Sequence, residues 1–88
     1  MECSLVKIVL DEIAAAPATA DLSELDAATA WVRARIVMRG NDKGPVREIR
    51  PAGFEEAVRE MKELRCLLVS RDFADATGAA QRARAFLP

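Results

Sequence analysis

Val32-Arg33-Ala34-Arg35-Ile36-Val37-Met38-Arg39 admits two readings, and the choice between them decides the fold. Val32, Ala34, Ile36 and Met38 alternate with Arg33, Arg35, Val37 and Arg39, the period of a half-buried strand. Gly40-Asn41-Asp42-Lys43-Gly44-Pro45 is a turn sequence, and Val46–Arg50 is available as a returning strand. That gives an α+β alternative with a small β-hairpin at 32–50. Extended upstream, the same stretch falls on a helical face marked by Leu22, Leu25, Thr29, Val32 and Ile36. Asp21 and Glu24 have the spacing of a capping box, with Asp in place of Ser or Thr, and Gly40 is a natural C-terminal stop. Val46 and Ile49 are three positions apart rather than two, so the return segment argues for the helix over 22–39.

Outward from that stretch the periodicity is helical. Leu5, Val6, Val9, Leu10 and Ile13 recur at helical spacing, with Ser4 as a possible N-cap and Pro17 as the stop. The β-branched content of Leu5–Leu10 leaves a strand open there. Beyond Pro51-Ala52-Gly53, the residues Phe54, Ala57, Val58, Met61, Leu64 and Leu68 form an apolar stripe. Glu55 and Glu56 fall in its first turn, where the helix dipole favours negative charge. Ser70-Arg71-Asp72 is a short junction, so the two helices it joins should pack antiparallel, with Asp72 capping the second. Ala76, Ala80 and Ala83 then lie on one stripe, with Phe73 a turn ahead, and such a stripe lets another helix approach closely. Gly78 in that helix marks a possible close contact. The expected fold is all-α: about four helices, roughly 4–16, 22–39, 54–69 and 72–87, packed as two antiparallel hairpins. A basic loop at 40–53 separates them, and Phe54, Met61, Leu64, Leu68 and Phe73 are expected in the core.

Size and composition agree. The 88 residues make a single domain that buries only about two-thirds of its unfolded surface, so stability is modest or shared with a partner. Apolar residues are 51% and charged residues 31%, too hydrophobic for a disordered tail. Aromatic residues are only 5%, which favours helices over a sheet sandwich. No apolar run approaches the ~20 residues of a membrane span, and the acidic start differs from a secretory signal, so a cytoplasmic protein is expected. Charge is uneven despite a net of −1. Residues 1–30 carry six acids against Lys7, whereas residues 31–50 carry six bases against Asp42 and Glu48. Either the two segments face each other, or the basic one is a patch for an acidic partner.

Little in the chain carries reaction chemistry. There is no His and no Tyr, and Cys3 and Cys66 lie far apart, so neither a metal site nor a cofactor is expected. Cys66 reads as a small buried hydrophobe and Cys3 as exposed. Asp11-Glu12 and Asp72/Asp75 read as solubilising and capping acids rather than as acid–base groups. No phosphate-binding glycine signature occurs around Gly40 and Gly44. A non-enzymatic role in binding is the expectation. Its candidate contacts are Trp31, the only tryptophan, and Arg33, Arg35, Arg39, Arg47 and Arg50, whose guanidinium groups suit carboxylate or phosphate. Another protein, or a second copy, is the expected partner. A nucleic-acid-binding regulator using residues 31–50 is the alternative, disfavoured by the negative net charge and the scarcity of aromatics.

Residues 57–88 also resemble a single tetratricopeptide-type helical hairpin. Phe73, Ala76, Ala80, Ala83 and Pro88 fall on that family's spacing of an opening aromatic, later small residues and a closing proline. Ala80 stands where a larger residue is commoner, and Glu60, Glu63 and Leu64 depart from the first helix of the pattern. No second copy precedes it. The resemblance implies a protein-binding scaffold, similar to small bacterial secretion-system chaperones that hold an amphipathic helix of a partner.

Overall fold

The computed structural model describes residues 2–40 and 53–88, with side chains given outside 37–40. The fold is all-α. Helix α1 spans Cys3–Ala15, α2 Leu22–Gly40, α3 Phe54–Val69 and α4 Phe73–Phe86, and a single 3-10 turn at Pro17–Thr19 joins the first two. There is no strand among the described residues. Residues 32–40 are helical, which removes the first strand of the 32–50 hairpin, and Leu5–Leu10 is helical too. The expected loop, with Arg47 and Arg50, falls mainly on 41–52, outside the described residues.

The core is built from one stripe of each helix. On α3 all six expected residues, Phe54, Ala57, Val58, Met61, Leu64 and Leu68, are buried. On α4 the buried residues are Ala76, Ala79, Ala80 and Ala83, with Leu87 closing the end. Phe73 is only partly buried at the edge of the cluster. Bulky side chains on one helix thus meet short ones on the other, and α3 and α4 form the most extensively packed pair. From α1 come Val6, Leu10 and Ile13, and from α2 come Leu25, Ala28 and Val32. Leu5, expected on the buried stripe of α1, is instead 45% exposed.

Polar contacts define the directions. Thr77 Oγ1 donates to the Ala14 carbonyl (3.2 Å), and Arg84 pairs with Asp11 (2.7 Å), so α4 runs antiparallel to α1. Arg82 pairs with Glu60 (3.1 Å) between α4 and α3, and Arg65 grips Asp26 with two donors (2.8 and 3.2 Å) between α3 and α2. The result is an up-and-down bundle in which α1 packs mainly on α4, and α2 mainly on α3. The α1–α2 pair is the loosest of the four neighbouring pairs.

Helix ends follow local chemistry, with corrections. Helix α1 starts one residue earlier than expected, and Glu2 rather than Ser4 occupies its N-cap, without a side-chain capping bond. Asp21 Oδ1 accepts from the Ser23 backbone N–H (2.9 Å) and hydroxyl (2.7 Å), so Ser23 completes the turn expected of Glu24. The α3–α4 junction is a Schellman turn: the Asp72 N–H donates to the Leu67 carbonyl (2.8 Å) and the Arg71 N–H to that of Leu68 (3.2 Å). Arg71 occupies the left-handed position usually taken by Gly (φ 64°), and its guanidinium lies over the Phe73 ring. Asp72 then caps α4, accepting from the Asp75 N–H.

The two structural glycines differ. Gly53 has φ 96°, and a Cβ there would collide with the Phe86 carbonyl oxygen, so α3 can begin against the end of α4 only with Gly. Gly78 marks no close helix approach, because a Cβ would meet only the mobile end of Arg82, 3.3 Å away. Gly53→Ala should therefore lower unfolding stability by about 2–4 kcal/mol, whereas Gly78→Ala should raise it by about 0.5–1 kcal/mol, both read by urea titration. Leu64→Ala, which empties the centre of the α3–α4 interface, should cost about 2–5 kcal/mol in the same measurement.

Candidate functional site

Helical periodicity puts Glu24, Ala28, Trp31 and Arg35 along one flank of α2. Glu24 shares a corner recess with Glu12, Ile13 and Ala16, so this flank faces α1. Glu12 and Ala16 continue a line on α1 that includes Leu5 and Val9. Since α1 and α2 run in opposite directions, Leu5 and Val9 lie toward the Trp31 end of α2.

Arg35 is the least expected group on this face. Its guanidinium carbon sits 4.6 Å from the centre of the Trp31 ring, which holds the cation in a fixed place. Nη1 is shielded from solvent and has no hydrogen-bond partner among the described residues. Loss of water without a compensating acceptor is costly for a cation. The accessible part of the guanidinium, held in place by the ring, can donate to a carboxylate. Trp31 is half-buried and packs against the core, which stiffens the platform.

The surroundings are poor in charge. Leu5 and Ile8 on α1 are 45% and 50% exposed, and Ala27, Ala30 and Ala34 are exposed on α2. The outer surface of α3 is the opposite, with Glu55, Arg59, Lys62, Glu63 and Arg65 all exposed. Among the described residues the other large exposed apolar side chains, Val69 and Phe86, lie at helix ends.

The expected binding residues are distributed unevenly. Trp31 and Arg35 are together. Arg33 lies on the other flank of α2, beside a recess of about 150 Å³ lined also by Ile36, Glu55 and Val58. The Arg39 side chain, Arg47 and Arg50 lie outside the described residues. Leu5 and Ile8 were missed as surface contacts because Leu5 fits an apolar stripe on spacing alone. Ile8 falls off that stripe, and this was the available signal. Cys66, expected to be buried, is exposed, while Cys3 is partly covered. No group of three metal-binding side chains occurs among the described residues.

The expected meeting of the acidic 1–30 segment with the basic 31–50 segment falls mainly outside the described residues. Among the described residues, Asp11 and Asp26 pair with Arg84 and Arg65, both in the C-terminal half. Hydrogen bonding from Arg65 lowers the Asp26 pKa below its ordinary 3.8, outweighing a small desolvation effect. The Ser23 hydroxyl, followed by its backbone N–H, does the same for Asp21. Comparison with known families, with curated proteins and with solved structures yields no match.

Two outcomes follow. Arg35→Met keeps the packing over Trp31 and removes the unpaired nitrogen, so unfolding stability should be unchanged or higher, measured by thermal melting. The Asp26 contribution is complete above the unfolded pKa of about 3.9 and disappears as pH falls through the lowered folded value. The gap in urea midpoint between the natural chain and Asp26→Asn should accordingly close on acidification.

Proposed function

We propose that this chain is a small protein–protein interaction module, an adaptor, chaperone or inhibitor, that acts by binding. Its contact surface is the α1–α2 face, with Trp31 as the apolar anchor and Arg35 as the fixed cation. The basic residues Arg33, Arg39, Arg47 and Arg50 serve as an electrostatic guide for an acidic partner. The observation that carries the reading is the Trp31–Arg35 stack. It places an under-solvated guanidinium, with one nitrogen lacking an acceptor, on a surface otherwise low in charge. Trp and Arg are the residues most enriched at binding hot spots. The likeness of residues 57–88 to a tetratricopeptide-type hairpin agrees with a scaffold role.

No helix among the described residues is long and apolar enough to cross a membrane. Affinity capture from the source cells, with nuclease and at raised salt, tests the reading. A stoichiometric protein should be retained by the natural chain and lost with Trp31→Ala or Arg35→Met, while the circular dichroism of both variants is unchanged. Nucleic acid that co-purifies, with binding that weakens steeply as salt rises, would assign the basic segment to a phosphate backbone instead.

A further inference from the structure

We infer that the α1–α2 face is occupied by the same face of a second copy, in a two-fold symmetric dimer. The inference rests on the interaction reading above and specifies its partner.

The face is apolar in the middle and oppositely charged at its two ends. At one end, the corner between α1 and α2, stand Glu12, Asp21 and Glu24, all exposed. At the other end stands Arg35, held over Trp31. Leu5, Ile8 and Val9 on α1 and Trp31 on α2 lie between or beside them, with small uncharged residues along the outer side of α2. Glu24 and Arg35 project from the same flank about 16 Å apart, close to three turns of helix. Among the described residues Glu24 makes no ion pair, and Nη1 of Arg35 donates to no acceptor.

A surface with acid at one end and base at the other complements itself when rotated by half a turn. A two-fold axis perpendicular to the helices, midway along α2, brings Glu24 of each copy to Arg35 of the partner subunit. The same operation satisfies the pair twice and covers Leu5, Ile8 and Trp31 of both copies. A parallel arrangement would set like charges against each other at both ends, so charge alone selects the antiparallel one. The net charge of −1 leaves little repulsion between copies. The loose α1–α2 pairing fits the same picture, because this is the side of the bundle that its own helices cover least.

Charge exchange tests this directly. Sedimentation equilibrium of the natural chain should show the mass rising with concentration from 9.6 kDa toward twice that value. Arg35→Glu makes both members of the Glu24–Arg35 pair acidic, and Glu24→Arg makes both basic. Each variant should stay at the mass of one chain over the same range, with its helical circular dichroism retained. Mixed in equal amounts, the two should recover the doubled mass, because the mixed pair restores both contacts. Recovery on mixing is not expected of variants that merely fold poorly. Ile8→Glu should abolish association with either charge arrangement intact. The dimer is overturned if the natural chain stays at one-chain mass into the upper micromolar range. It is equally overturned if either charge variant associates alone as the natural chain does, or if mixing restores nothing. A monomeric chain that still captures a stoichiometric protein through Trp31 would leave the interaction module standing with a foreign occupant. A monomeric chain that captures none would remove both.

Discussion

Everything in this bundle is arranged around the fit of large side chains on α3 against alanines on α4. Phe54, Val58, Met61, Leu64 and Leu68 project from one helix toward Ala76, Ala79, Ala80 and Ala83 on the other. Short side chains let the two axes approach, and long ones fill the space that approach leaves. Gly53 and the Schellman turn at Leu67–Asp72 hold the two ends of the hairpin in that register. Helices α1 and α2 lie side by side over this pair, α1 mainly on α4 and α2 mainly on α3. Val6, Leu10 and Ile13 of α1 and Leu25, Ala28 and Val32 of α2 complete the core.

Three ion pairs join strongly packed helices: Asp11–Arg84, Glu60–Arg82 and Asp26–Arg65. All three are largely at the surface, where such pairs contribute little stability. Their effect is on specificity, since each favours one pairing of helices and one direction. Among the described residues no ion pair joins α1 to α2. That edge is joined at one end by the Pro17–Thr19 turn.

Weak closure at this edge and the character of the α1–α2 face have one origin. Helices committed mainly to α4 and α3 retain part of their apolar surface, and Leu5, Ile8 and Trp31 are what remains. Arg35 departs further from an ordinary surface, since its cation has given up water on one side without gaining an acceptor. A buried unpaired polar group is rare in folded proteins, and this one adjoins the accessible edge of the Trp31 stack. This is the physical basis on which a bundle with no assigned chemistry is read as a binding module.

Helical periodicity in the sequence was sufficient for the four helices, for the complete buried stripe of α3 and for the alanine stripe of α4, because each repeats over several turns. The choice of helix over strand at 32–40 was legible from Leu22, Leu25 and Thr29, which extend the pattern beyond what a short strand explains. Trp31 and Arg35 were both candidate contacts from residue type. Their stacking was not legible, because a one-turn separation permits it without requiring it. Tertiary structure alone decided that Leu5 is exposed, that Cys66 is exposed, and that α1 rests on α4 rather than chiefly on α2. Periodicity tells which face of a helix is apolar. How much of that face is covered depends on which neighbours reach it, and that is settled only when the α3–α4 pair has set where the other two helices can pack.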